Sequence, residues 1–254
     1  MNQNVVATTT QCAKTGILVS VRDAMEAQIA TRAGVDILDI KEPSHGSLGA
    51  ADAQTINEIL NVVPEETCIS IALGELHEVL DRPQRIETVV STLSDSLPIA
   101  FVKIGLSKMA DRSCWSEYWA EILRKLPRSI ETVGVIYADR AAAMSPPPTE
   151  IVQTAAALGC RAVLIDTYDK SSGNLLVHVS TRQLRQIQQL VYQHDMQIVL
   201  AGSINLDCLE KIGKLQPNFV GVRGAVCTDA VRTNSISVDA INNFKAHLHR
   251  TQLS

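Results

Sequence analysis

Three short apolar runs of this chain end in a charged side chain: Asp36-Ile-Leu-Asp-Ile-Lys41, Phe101-Val-Lys103 and Leu164-Ile-Asp166. A lysine amine attacks a carbonyl only as the free base, and a second cation nearby lowers its pKa by disfavouring the charged form. A carboxylate in the same site can then move protons during enamine formation and dehydration. Two lysines and an aspartate brought together would therefore suit Schiff-base chemistry, although either lysine alone equally fits a solvated strand end. Asp39 lies two residues before Lys41 and so shares its face of an extended strand, one level deeper, where an ion pair is the plain structural reading. Lys170 follows Asp166 by four residues, in what reads as a loop.

A second group of residues suits an anion. Ala201-Gly202-Ser203 and Gly221-Val-Arg-Gly-Ala-Val226 place glycines where backbone N–H groups can approach a phosphate closely, and Arg223 could clamp a phosphate oxygen or pair with a strand-end acid. Gly202, Ser203, Gly221, Arg223 and Gly224 are thus candidate substrate-binding residues beside Asp39, with Lys41, Lys103, Asp166 and Lys170 as candidate catalytic ones. The segment Gly46–Ala50 is a candidate for a second phosphate. Glu75 and Asp139 also fall after apolar runs, where capping or solvation explains them as well as chemistry does.

The spacing of these residues defines the scaffold. Lys41, Lys103 and Asp166 are 62 and 63 residues apart, two β/α units each time. Runs rich in β-branched residues recur at Gly16–Val21, Val35–Ile40, Thr67–Leu73, Ile99–Ile104, Thr132–Tyr137, Arg161–Ile165, Gln197–Leu200 and Asn218–Val222. Helical periodicity lies between them at Asp23–Ala33, Ala53–Val62, Trp115–Leu126, Thr149–Leu158, Thr181–His194 and Ile204–Ile212. Eight such units at about 31 residues each predict a closed (β/α)₈ TIM barrel over residues 15–254, preceded by a polar extension, 1–14. An open doubly wound sheet is the alternative, but the first run is followed by no G-x-G-x-x-G. In a barrel, alternate strands contribute to one layer at the C-terminal mouth, so Lys41, Lys103 and Asp166 are expected to converge there.

Composition removes several function classes. With 254 residues, 46% apolar and 20% charged, the chain is too apolar for disorder; at net charge −4 and 4% aromatic it offers no basic stripe or stacking surface for nucleic acid. No apolar stretch approaches the ~18 residues of a bilayer span and no basic n-region precedes a hydrophobic core, which suggests a cytoplasmic protein. The six cysteines, Cys12, Cys68, Cys114, Cys160, Cys208 and Cys227, form no C-x-x-C pair and read as buried thiols. The six histidines are dispersed, so no metal site and no cofactor is expected.

The stretches Asp39-Ile-Lys41-Glu-Pro, Gly46-Ser-Leu-Gly-Ala50, Val102-Lys-Ile-Gly-Leu106, Tyr137-Ala-Asp139, Leu164-Ile-Asp-Thr167 with Lys170, Ala201-Gly-Ser203 and Val220-Gly-Val-Arg-Gly-Ala-Val-Cys227 together resemble the (5-formylfuran-3-yl)methyl phosphate synthase family. The resemblance runs from about Gly16 to the last helix. It implies a (β/α)₈ barrel, a lyase that condenses two molecules of glyceraldehyde 3-phosphate to a furan phosphate, and a place in methanofuran-type cofactor biosynthesis and one-carbon metabolism. It also implies Lys41 as the Schiff-base lysine, Lys103 as a proton acceptor, and Asp166 with Lys170 as supporting acid and base. Ser44-His45, Tyr168-Asp169 and Ser171-Ser172 depart from the family pattern. Two other readings stay open: a Schiff-base aldolase that releases a simple aldol product from triose or pentose phosphates, and a barrel that binds a phosphorylated metabolite without catalysis. The partner in each case is a small phosphorylated molecule, and a homo-oligomer is compatible with all of them.

Overall fold

The computed structural model describes residues 14–84, 90, 93 and 99–251; of the N-terminal extension, residues 1–13 lie outside it. Eight parallel strands follow one another around a closed barrel: β1 (Gly16–Val21), β2 (Ile37–Ile40), β3 (Ile69–Glu75), β4 (Ile99–Gly105), β5 (Glu131–Tyr137), β6 (Ala162–Asp166), β7 (Gln197–Leu200) and β8 (Phe219–Val222). Closure comes from β8 pairing with β1 in the register Gly16↔Phe219 to Val19↔Val222. The barrel expected from the spacing is the one observed.

The strands read as near-continuous apolar runs because each is covered on both sides. Alternate residues such as Ile17, Val19, Val21 and Ile40 face outward into the core beneath the helices. The others face inward, where Leu18, Ile37, Val133, Leu164 and Val199 fill the lower barrel. Higher on the same inward faces the residues turn polar: Ser20, Asp39, Ser70, Lys103 and Asp166 are all buried. That change along the strands separates the packed floor from the mouth.

Helices close the units at α1 (Ala24–Arg32), α2 (Ala53–Leu60), α3 (Leu76–Asp81), α4 (Trp115–Leu123), α5 (Arg140–Ala143), α6 (Pro148–Ala157), α7 (Leu175–His178), α8 (Thr181–Gln193), α9 (Leu206–Gly213) and α10 (Val238–Thr251). Local chemistry fixes their starts. Asp23, Asp52, Ser180 and Asn205 accept first-turn N–H groups, and Pro148 opens α6 where no N–H is required.

Differences from the expected boundaries have local causes. β2 begins at Ile37 instead of Val35, with the Asp36 carboxylate accepting the Ile17 N–H at 2.7 Å just before the strand. β3 continues to Glu75 through an irregularity between Ala72 and Glu75 that includes Gly74 at φ +86°. Among the described cysteines, Cys160, Cys208 and Cys227 are buried as expected, but Cys68 is half-buried and Cys114 is exposed just ahead of α4. No helix among the described residues is long and apolar enough to cross a membrane.

Candidate active site

The ten candidate catalytic and substrate-binding residues line one cavity of about 350 Å³ at the C-terminal mouth of the barrel, whereas Glu75 and Asp139 do not, and of the Gly46–Ala50 segment only Leu48 does. Their polar groups are arranged at two depths. At the lower one, the Lys103 ammonium donates to the Asp39 carboxylate, with Lys103 3% and Asp39 1% exposed. Ser20 Oγ donates to the other Asp39 oxygen at 2.9 Å, and Ser70 Oγ lies 3.4 Å from Lys103 Nζ. Asp39 therefore pairs across the barrel with Lys103 and not with Lys41 on its own strand. Register explains this: Asp39 is beside Ser70, Ser70 beside Phe101, and Lys103 follows Phe101 by two residues on the same face.

At the rim, Asp166 collects donors. The Lys170 ammonium and the Thr167 N–H meet Oδ1, the latter at 2.8 Å, while Ser47 Oγ reaches Oδ2 at 2.8 Å. Burial alone would raise this carboxyl, but the charges of Lys170 and Lys41 and the bonds from Lys170 and Ser47 bring it down to about 2. Asp166 is thus an anion throughout the neutral range, suited to stabilising a cation and poorly suited to delivering a proton.

Lys41 is the exception among the three lysines. Its Nζ donates to Ser47 O at 3.3 Å and makes no ion pair among the described residues. Burial lowers its pKa to about 7, against the opposing pull of Asp166 and Asp39, with Lys170 and then Lys103 adding smaller downward contributions. The expected lever, the charge of Lys103, is the weakest of these; desolvation is the strongest. Burial also lowers Lys170, against the pull of Asp166.

The two glycine loops close the opposite wall. Gly202 sits at φ +102° and Ser203 at φ +49°. A Cβ on Gly202 would lie 3.0 Å from both the backbone N and Cγ2 of Thr167, so the glycine is required by packing against the loop that carries Asp166, whatever else it binds. Gly221 faces the cavity from β8, and Gly224 begins the short helical turn after it. Arg223 is not poised to hold a phosphate. Its guanidinium forks onto the buried Glu26 carboxylate of α1 at 2.7 and 3.2 Å, and bonds Ser20 O at 3.0 Å and Arg232 O at 2.6 Å. Its acid partner belongs to a helix and not to a strand end. Among the described residues no three His, Cys, Asp or Glu side chains group as a metal would require.

With this geometry in view, comparison with known proteins is decisive. The family model described as 4-HFC-P synthase matches residues 17–245, nearly the whole barrel. The chain belongs to the 4-HFC-P synthase family. It is 31% identical to the (5-formylfuran-3-yl)methyl phosphate synthase of Methanococcus maripaludis strain C5 over 225 residues, 85% of this chain and 91% of that one. The enzyme of the same name from Methanopyrus kandleri is 30% identical, covering 83% and 89%. Solved structures support the fold alone. Thiamine phosphate pyrophosphorylase from Pyrococcus furiosus superposes with TM-score 0.57 at 11% identity, covering 93% of this chain and 96% of that one. Phosphoribosyl anthranilate isomerase from Thermus thermophilus gives 0.55 at 15% identity, covering 92% and 98%.

In this 4-HFC-P synthase family member the rim acids Glu75 and Asp139 turn inward to the scaffold. The Asp139 carboxylate accepts the N–H groups of Tyr168 and Asp169 at 2.7 and 2.8 Å, fixing the loop that delivers Lys170. Glu75 accepts from the Tyr137 hydroxyl and, at 2.9 Å, from the Ser107 N–H; burial raises its pKa against these bonds. Sequence reasoning gave Ser20, Ser47 and Ser70 no individual role and did not single out Arg232. Ser47 lies within the Gly46–Ala50 segment, whereas Ser20 and Ser70 carry no motif of their own, although they could have been found by following the inward face of each strand to the level of Asp39.

Proposed function

We propose that this chain condenses two molecules of glyceraldehyde 3-phosphate to (5-formylfuran-3-yl)methyl phosphate, releasing one inorganic phosphate and two waters, with Lys41 as the Schiff-base nucleophile. One observation carries the reading: a buried lysine at the mouth of the barrel, its pKa brought to about 7 and its amine not held by a carboxylate. A non-catalytic metabolite sensor would have no use for so reactive a group. The family resemblance supplies the substrate.

Lys41 Nζ adds to the aldehyde carbon of one triose phosphate, and loss of water gives an iminium whose positive charge faces the Asp166 carboxylate. Removal of the proton on the adjacent carbon converts it to the enamine. Lys170, whose pKa burial lowers, accepts that proton at the rim as the free amine, released from Asp166; Lys103, paired with Asp39 below, serves the proton transfers nearer the floor. The enamine expels the phosphate on C3 of that triose, leaving an unsaturated iminium, and C2 of the second triose phosphate, deprotonated beside its aldehyde, adds to that C3, forming the new C–C bond. Hydrolysis of the imine returns Lys41 and consumes the water lost in forming it. Ring closure and dehydration then give the aromatic furan. Two triose phosphates contain the atoms of the furan phosphate, one phosphoric acid and two waters, with no net oxidation or reduction. Such a product would feed the synthesis of a methanofuran-type cofactor.

The test is to incubate the protein with glyceraldehyde 3-phosphate and to record near-ultraviolet absorbance, product mass and released phosphate. Borohydride added during turnover should leave a covalent adduct on the Lys41 peptide, absent from Lys41→Arg. An aldol product without near-ultraviolet absorbance would point to a simple aldolase and overturn the furan assignment.

A further inference from the structure

Among the described residues, one cation of the cavity neither pairs with a carboxylate nor serves the chemistry above. Arg232 lines the mouth beside Gly224, in the same cavity as Ala230, Gly202 and Ser203. Its guanidinium makes a single hydrogen bond, Nη2 to Gly46 O at 3.1 Å, and no ion pair among the described residues. Arginine offers five N–H donors in a planar fork, so at this cavity-lining position most of its hydrogen-bonding capacity is left without a partner among the described residues. Its charge is felt at both Asp166 and Lys170, which locates it over the reacting centre.

The backbone that holds it is built for the purpose. Asp229 and Ala230 adopt consecutive left-handed conformations at φ +57° and +56°, an arrangement that side chains other than glycine rarely take and that costs about 1 kcal/mol or more each. The turn is held from below by Arg223, whose Nε donates to Arg232 O at 2.6 Å and whose Nη2 reaches Asn234 O at 3.5 Å. Arg223 is in turn fixed by Glu26, both side chains being almost fully buried. Glu26, Arg223 and the 229–234 turn thus form a chain of contacts that carries Arg232 across the mouth to the β2 loop at Gly46.

We propose that Arg232 is the phosphate clamp of this site: it binds the phosphate monoester of a triose phosphate against the backbone of Gly202–Ser203 and Gly224, and Arg223 is a positioning residue that acts through the Arg232 main chain. This rests on the assignment of a phosphorylated triose as substrate, but the clamp is testable without turnover. It transfers to Arg232 the role that the sequence suggests for Arg223.

The experiment compares wild-type protein with Arg232→Ala, and with Arg232→Gln should the alanine variant not fold. Inorganic phosphate is titrated calorimetrically, and borohydride trapping at Lys41 is measured with glyceraldehyde 3-phosphate and, separately, with unphosphorylated glyceraldehyde. Loss of charge-assisted bonds to phosphate should weaken inorganic phosphate binding about 10- to 100-fold. The concentration of glyceraldehyde 3-phosphate needed for half-maximal trapping should rise by a similar factor, at least about tenfold more than the concentration of glyceraldehyde needed. Wild-type affinity for inorganic phosphate in the variant overturns the clamp, as does an equal loss of trapping with both aldehydes. If phosphate binding depends on Arg232 and no furan forms, the clamp stands and the furan assignment falls.

Discussion

The protonation of Lys41 is the most exposed point of the proposed mechanism, because a Schiff base would form only from the free amine. With a pKa of about 7, roughly half of the Lys41 side chains are uncharged at pH 7; at the ordinary value of 10.5 the fraction is roughly 1 in 3,000, a difference of about three orders of magnitude. The initial rate of borohydride trapping with a saturating aldehyde should therefore rise with pH to a plateau, with its midpoint near 7. The causes of the shift predict how the midpoint moves. Asp166 is the strongest group opposing the shift, so Asp166→Asn should move the midpoint to lower pH. Lys103 makes the smallest downward contribution, so Lys103→Met should move it upward only slightly. A trapping rate still climbing tenfold per pH unit above pH 8.5 would refute the account of a desolvated amine. A large upward shift in Lys103→Met would refute the claim that burial, and not the neighbouring cation, sets the value.

The same burial has a cost to the fold. A lysine whose folded pKa lies below its unfolded one destabilises the native state fully below pH 7, and the penalty fades as pH rises toward 10.5; its ceiling is ~5 kcal/mol. Lys41→Met should thus be inactive yet more stable than wild type by up to a few kcal/mol at pH 6.5 in urea denaturation, with the gap narrowing by pH 9.5; an equal or lower stability at pH 6.5 would contradict the penalty. Arg223→Ala strips the buried Glu26 carboxylate of its partner and should lower stability by about 3–5 kcal/mol, read as a fall in Tm; a fall of less than a degree or two would mean that the pair is not buried as described. Gly202→Ala places a methyl 3.0 Å from the Thr167 backbone at a positive φ. It should cost about 1–3 kcal/mol and slow turnover as well as raise KM, because Thr167 adjoins Asp166; a pure KM effect would restore the simpler view of Gly202 as a phosphate contact alone.

Physical scale decides which features were legible in the sequence. The barrel was legible because strands covered on both faces require long β-branched runs, and eight of them recur at even spacing. The site was legible because strand ends in a barrel converge, so Lys41, Lys103 and Asp166 needed only their register to be brought into one cavity. Pairing within the cavity was not. Alternation fixes which face a residue occupies, but Asp39 chooses between Lys41 on its own strand and Lys103 two strands away by distances that depend on strand stagger. Arg223 finds Glu26 at a sequence separation of 197 residues, beyond any local pattern. The four-residue helices α5 and α7 are too short to show a period, yet they flank the loops that carry Asp139 and Lys170.

Those pairings are what distinguish the three lysines. By residue type and strand position, Lys41 and Lys103 are equivalent nucleophiles, and Lys170 is only a loop away. Each of Lys103 and Lys170 donates directly to a carboxylate, so freeing its amine for attack means giving up a buried charge-assisted bond; Lys41 donates only to the carbonyl of Ser47. In the proposed mechanism the nucleophile is thus selected by having no carboxylate in contact among the described residues, while Asp166, held by Lys170, Ser47 and the Thr167 N–H, would be the counter-charge of the iminium. Moving a carboxylate onto Lys41 would hold the ammonium, and removing Asp166 would leave the iminium without a counter-charge. The arrangement works because the nearest anion is shared with another lysine.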